Sequence, residues 1–229
     1  MRNLRTKLLW SISFIALAVL IATPPYLYFT GLKDVPSGRQ PLAQIEIPES
    51  VSRAYWRYLQ GDGDPRFSPK NPYGFLIDFF VEARSMEANG HASAEYALLS
   101  DATRSLMFRE KFDGKSGDWH LSNMAALIWI SRNWSAQEAI RTVLQDTYFG
   151  NDFRGIDTAA RGYFGISLEE MTDVQVAYLL VIRAAPNHYD PWCHPENHRV
   201  RFEAFSKRIG YAAEYESIES LPAPANVCS

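Results

Sequence analysis

Residues 148–191 read YFGNDFRGIDTAARGYFGISLEEMTDVQVAYLLVIRAAPNHYDP. Two aromatic-glycine steps, Phe149-Gly150 and Phe164-Gly165, mark corners, because glycine adopts a left-handed backbone without steric cost. Between them Gly155, Ala159, Ala160 and Gly162 carry almost no side chain, so a helix there can lie close against a neighbour. Tyr163 and Phe164, taken on residue type alone, read as core aromatics. Ser167 and Thr172 are N-cap candidates, and the second leads a helix over 173–184.

Working outward, Ser135 and Glu138 have the spacing of a capping box and predict a helix through Leu144. Before it, 121–130 is a strongly apolar helix, and 49–59, 75–86 and 93–112 are further helix candidates. The clusters at 61–65 and 113–118 read as loops, and 195–209 as a solvated amphipathic helix. Phe75 to Phe80 reads as core filling, with a dip into lipid as the alternative. No strand pattern survives over a useful length, so the class is mainly α.

Leu8 to Phe29 is uncharged and mostly apolar, long enough to cross a bilayer as one helix. Arg2, Arg5 and Lys7 precede it and hold residues 1–7 in the cytoplasm, which exports everything after the span. A cleaved signal peptide would export the same domain. Leu20-x-Ala22 followed by Pro24-Pro25 lacks the small-residue pair of a cleavage site, which favours a retained transmembrane helix over 8–29. Residues 30–49 carry Pro36, Ser37, Gly38, Pro41 and Pro48 and read as a tether that need not be folded. One domain over 50–210 and a C-terminal tail over 211–229 complete the division.

The 229 residues, 47% of them hydrophobic, leave enough chain after the span for one domain with its own core. A formal net charge of −3 gives no electrostatic footprint for nucleic acid, and none is expected as a partner. Cys193 and Cys228 have neither zinc nor redox-pair spacing; a single disulfide and two separate thiols both stay open. His188, His194 and His198 cluster near the end without a carboxylate partner, and no metal site is assigned to them.

The 148–191 stretch resembles the fourth conserved block of glycosyltransferase family 51 together with the segment on its C-terminal side. That family supplies the peptidoglycan transglycosylase domain of penicillin-binding proteins and of monofunctional transglycosylases. The matches are Tyr148, Phe149, Gly150, Gly155, Ala159, Ala160, Tyr163, Phe164, Gly165, Pro186, Tyr189 and Pro191. Residues 130–135 look like the helix end before that block and 195–207 like its arginine-rich closing helix. The resemblance is specific over about 124–207 and faint over 50–117. It implies a lysozyme-like, mainly α transglycosylase domain behind one N-terminal transmembrane helix.

The family's reaction needs a base for the acceptor hydroxyl and cations, or a divalent metal, around a departing pyrophosphate. In the family the base is the glutamate of a Glu-Asp-x-x-Phe-x-x-His block, whose closest counterpart here is Gly63 to Lys70. Gly63 then replaces the glutamate and Lys70 the histidine. The family's Gly-x-Ser-Thr-Ile-Thr-Gln-Gln block has only an echo over 101–107, without its glutamines. Counted back from Trp134, the second family glutamate falls on Asn123. Asp62 and Asp64 flank the empty position and are the candidate substitute bases, although such a glycine-aspartate turn is commonly only a turn. The resemblance assigns Arg66, Lys70, Tyr148, Gly155, Arg161 and Tyr163 to substrate binding.

These losses point to a non-catalytic descendant in the bacterial cell envelope, binding a glycan strand or a lipid-linked disaccharide, or assisting assembly with envelope proteins. The alternative is an active glycosyltransferase with a relocated base. Only that alternative implies a cofactor, a divalent metal such as Mg or Mn. Glycan cleavage ranks lower because no carboxylate pair stands out, and an acyl-serine peptidase lower still without a Ser-x-x-Lys block. The expected location is the inner membrane, single-pass, with the domain on the periplasmic or extracellular side.

Overall fold

The computed structural model describes residues 2–109 and 116–208. These form α1 (Arg2–Leu32), α2 (Glu49–Tyr58), α3 (Phe75–Asn89), α4 (Ala94–Arg109), α5 (Ser116–Asn133), α6 (Ala136–Asp146), α7 (Ile156–Phe164), α8 (Asp173–Ala184), α9 (Pro186–Tyr189) and α10 (Pro195–Arg208). Among the described residues the only β pairing is one bridge between Tyr148 and Arg154. The predicted mainly α class therefore holds. The C-terminal tail, Cys228 and residues 113–115 of the expected loop lie outside the described residues, and Ser116 to Asp118, also read as loop, form the first turn of α5.

α8 is the centre of the domain. Every residue from Val176 to Ile182 is buried, so it is apolar all round and needs neighbours on every side. α2, α7, α9 and α10 pack on it, while α4 lies between α5 and α6. Leu98, Leu99, Ala102, Leu106 and Met107 form the buried stripe of α4 at helical spacing. Each fully buried aliphatic side chain stabilises the fold by about 1.5–3 kcal/mol.

The caps expected at Ser135 and Thr172 form, and Ser167 heads a short 3-10 turn with its amide on the Glu170 carboxylate. Ser135 accepts from the Glu138 amide while the Glu138 carboxylate accepts from the Ser135 amide at 2.7 Å, and Thr172 with Gln175 repeats the arrangement at α8. Ser135→Ala is expected to cost about 1 kcal/mol in a urea titration, because the Glu138 amide at the start of α6 loses its acceptor.

The supposed tether is not free. Val35 is buried, Ile45 and Ile47 pack against the core, and Arg39 ties the segment back to the end of α1 through the Leu32 carbonyl at 2.8 Å. The Trp134 indole donates to the Arg39 carbonyl, the Leu42 amide donates to Thr142 Oγ1, and Gln145 Nε2 donates to the Ile45 carbonyl. Residues 33–47 are thus a strap across α5 and α6. Proline and glycine content signalled absence of helix, which differs from absence of contacts. α1 itself reaches the domain: a Cβ on Gly31 would lie 2.4 Å from the Leu121 carbonyl oxygen, so this glycine lets the last turn of α1 touch the backbone of α5.

A second expectation fails at α3. Its large apolar side chains Ile77, Phe79, Phe80 and Val81 are exposed, not core. The inward face is instead polar, carrying Asp78, Glu82 and Ser85.

Candidate functional site

The family-like stretch closes on itself through its polar side chains. In the loop after α6 the backbone turns sharply at Gly150, Asn151 and Asp152, all with positive φ, and the Phe149 amide donates to the Phe153 carbonyl at 2.8 Å. The Asn151 amide donates to Asp190 at 2.7 Å and to the Tyr163 hydroxyl at 3.1 Å. Asp190 is buried and also accepts from the Trp192 and Cys193 amides. Tyr163 is buried, stacks on Trp192 at 5.1 Å and donates to the Phe149 carbonyl. Burial pushes its hydroxyl well above the ordinary tyrosine range. Tyr163 therefore holds the loop against the core. Cys193 is disulfide-bonded.

Beside this loop lies a cleft of about 560 Å³, within the size range of small-molecule sites. Four arginines line it, Arg104, Arg154, Arg183 and Arg201, together with the carboxylates Asp101 and Asp146 and the aromatic residues Tyr58, Phe108 and Tyr148. Arg183 ends the apolar run of α8 and is nearly buried. Its guanidinium lies over the Tyr55 ring at 5.0 Å and the Tyr58 ring at 5.8 Å and pairs with Asp101 Oδ2. The Tyr55 hydroxyl donates to the same oxygen at 2.6 Å, and Arg104 stands 3.9 Å from Oδ1. Burial opposes the charge on Arg183, but Tyr55 and Asp101 more than offset it and hold the group firmly protonated. The Nε of Arg183 is buried without a hydrogen-bond partner. Arg154 pairs with Asp146 at 2.5 Å. Two carboxylates are thus engaged by arginines while the lining keeps a surplus of positive charge, the composition that receives a phosphate or pyrophosphate.

Of the residues named from sequence, Tyr148 lines this cleft. Gly155 sits behind it as the N-cap of α7 at φ +89°, where a Cβ would meet the Gln145 carbonyl oxygen at 3.0 Å. Asp62 and Asp64 are exposed on either side of Gly63 in a turn, with the Trp56 indole bonded to the Asp62 carbonyl, and neither lines the cleft. Arg66 is exposed in the same segment, and Arg161 is exposed on α7 in an i,i+4 pair with Asp157 at 3.2 Å. Asn123 is half-buried on α5.

Lys70 is engaged elsewhere. It pairs with Glu95 at 2.8 Å and Asp78 at 3.5 Å, its amide donates to Ser131 Oγ, and Glu95 also accepts from the Ser68 amide and hydroxyl. Burial opposes charge on both partners, yet the contacts outweigh it: Lys70 lies above its ordinary value and Glu95 below. A depressed carboxylate stabilises the fold above its unfolded pKa and loses that stabilisation as pH falls through the folded one. Lys70 contributes at all pH values below its unfolded pKa and loses its share only in strong alkali. Glu95→Gln is therefore expected to cost about 1 kcal/mol at neutral pH, the pair being partly exposed. Urea titrations across a pH series should show the gap to wild type closing once pH drops below the ordinary glutamate range.

Sequence reading missed Asp101, Arg183 and Tyr55 as a unit. The signal was there in part. An arginine closing VAYLLVI, and an aspartate inside the α4 stripe, each require a partner when buried.

Fold and sequence together define a transglycosylase-like helical domain: residues 103–209 match the family described as Transglycosylase. The resemblance to glycosyltransferase family 51 holds on that basis. Among curated proteins the chain is similar to penicillin-binding protein 1A of Streptococcus oralis, 32% identical over 201 residues, covering 83% of this chain and 30% of that protein. It is 30% identical over 132 residues to penicillin-binding protein 1A of Streptococcus pneumoniae, covering 54% and 18%. With penicillin-binding protein 1F of Bacillus subtilis it shares 31% over 92 residues, covering 39% and 13%. The chain thus spans less than a third of the length of these relatives.

Proposed function

We propose that this chain is a membrane-anchored, transglycosylase-like protein of the bacterial cell envelope. It binds a lipid-linked disaccharide, or the glycan strand made from it, without polymerising it. The observation that carries the reading is the occupancy of the cleft's carboxylates. Asp101 is engaged by Tyr55 and Arg183, and Asp146 by Arg154. A base must offer a lone pair to an acceptor hydroxyl, and these oxygens already accept from cations. The positive lining still suits the pyrophosphate of a lipid-linked sugar.

Anchoring rests on α1, whose stretch Trp10–Leu32 is long and apolar enough to cross a membrane and whose residues 10–23 are all exposed. With Arg2, Arg5 and Lys7 at the cytoplasmic end, the domain stands on the far side of the inner membrane.

The purified chain, given lipid-linked disaccharide with Mg or Mn, is expected to retain the ligand and yield no glycan polymer. Robust chain formation would overturn the non-catalytic reading in favour of a relocated base. Asp101 is then the carboxylate to test, being the aspartate nearest Arg104 and Arg183, whereas Asp62 and Asp64 stand outside the cleft. Asp101→Asn would abolish that polymer and Asp62→Asn would leave it.

A further inference from the structure

Three histidines cluster near the end of the chain, and the structure divides them. His198 is fully buried on α10, with its Nε2 3.3 Å from the Tyr178 carbonyl and its ring beside Tyr178 and Phe202. Burial pushes it down to about 4, so it serves the core as a neutral ring. His188 and His194 are exposed, and their ring centroids stand 6.3 Å apart with the planes inclined by 31°. Neither lines the arginine cleft.

The backbone holds this pair in place. In the single turn of α9 the His188 amide donates to the Ala185 carbonyl at 2.9 Å, and the His194 amide donates to the Asp190 carbonyl at 2.8 Å. Between them the buried Asp190 carboxylate accepts from the Trp192 and Cys193 amides. Asn197 of α10 reaches back to the His188 carbonyl at 3.4 Å. Residues 188–194 therefore form a pinned turn that begins and ends on an imidazole. The Tyr189 ring, edge-on to His188 at 4.8 Å, limits the travel of that imidazole on one side.

An imidazole nitrogen binds a transition ion at about 2.0–2.1 Å, which puts the ion roughly 3 Å from the ring centre. Two rings on one ion then have centres about 5 Å apart in a tetrahedral arrangement and a little over 6 Å apart when opposed, as in a square-planar one. The observed spacing lies at the wide end, and small rotations of two exposed side chains bring it inward. Neighbouring donors are already engaged: Glu196 pairs with Arg199, and Cys193 is disulfide-bonded. Among the described residues no third His, Cys, Asp or Glu joins the two. Paired neutral nitrogens without a carboxylate select Cu, Ni or Zn over Mg or Ca, which require oxygen donors.

We propose that His188 and His194 form a two-nitrogen site for a divalent transition ion, with water completing its coordination. Copper(II) binds it most tightly, following the general order of divalent affinities. The site stands apart from the cleft and does not depend on the transglycosylase-like reading. A bound ion ties α9 to the residue before α10, so it stabilises the folded chain as any ligand of the native state does. Arg201, stacked on Tyr189 at 5.8 Å, adds a cation to this neighbourhood and keeps the affinity moderate.

The test uses the full chain without an affinity tag, in detergent, freed of metal by chelator and titrated with copper(II) chloride. Electron paramagnetic resonance is expected to show a copper signal split by two imidazole nitrogens, and thermal denaturation a higher midpoint with the ion than without it. His188→Ala and His194→Ala are each expected to weaken binding by at least the roughly 10–100-fold that follows loss of a supporting partner, and to leave a one-nitrogen signal. Both residues are exposed, so the metal-free midpoint should stay where it is in the unaltered chain. His120→Ala, exposed on α5, should change neither readout. No copper uptake at about 0.1 mM free ion, an affinity too weak to count as a site, overturns the proposal. So does copper retained in full by either single variant, or a two-nitrogen signal that vanishes with His120. Displacement of copper by excess magnesium would overturn the nitrogen-donor assignment, whereas displacement by zinc is expected.

Discussion

Arg183→Met is expected to destabilise the domain by about 3–5 kcal/mol in a guanidinium titration, the usual cost of removing one member of a buried ion pair. Arg183 is the cation engaging Asp101 Oδ2 and the group stacked on Tyr55 and Tyr58. Methionine keeps much of the packing volume and loses the charge. Asp101 is then left largely shielded with Tyr55 as its close donor and Arg104 at 3.9 Å. The second half of the expectation separates charge from packing. Arg183→Met combined with Asp101→Leu and Tyr55→Phe should recover most of the loss, because an apolar cluster of similar volume leaves neither a buried charge nor the Tyr55 hydroxyl without a partner. Failure of this combined variant to recover would mean that the stacking of the guanidinium on the rings, not the pairing, dominates.

Gly155→Ala is expected to cost about 3 kcal/mol, the upper end for forcing an L-residue into a sparsely populated backbone region. Gly155 has φ +89° and ψ 143°, which lies outside the regions open to alanine, and its Cβ would press on the Gln145 carbonyl oxygen at 3.0 Å. Its amide also closes the loop by donating to the Thr147 carbonyl at 2.8 Å, so the strain cannot be relieved without opening the turn that presents Tyr148. Thermal denaturation should show the loss. The Gly90→Ala variant, also at positive φ but with open space around its Cβ, should lose clearly less.

The helices were legible where local chemistry dictates them. Ser135 with Glu138, and Thr172 with Gln175, announce α6 and α8 because a cap is a contact within one turn. The family-like stretch was legible for a similar reason: Gly150 and Gly165 adopt the positive φ that their identity suggested, whereas Gly155, read only as a small residue, adopts it as well. The cleft was not. Asp101 and Arg183 are 82 positions apart, and nothing local announces that α4 and α8 bring them together. α3 was misread because an apolar run signals burial away from water without saying whether protein or another apolar medium provides it. Among the substrate-binding expectations, Tyr148 reached the cleft, while Lys70 was drawn into Glu95 and Asp78 and Tyr163 into the core.

The strap over residues 33–47 has a mechanical consequence. Pinned at Leu32, Trp134, Thr142 and Gln145, it leaves no slack between the end of α1 and the body of the domain. In the proposed setting the protein is mounted on a bracket instead of a leash. Whatever the arginine cleft engages must come to it at one fixed height above the bilayer.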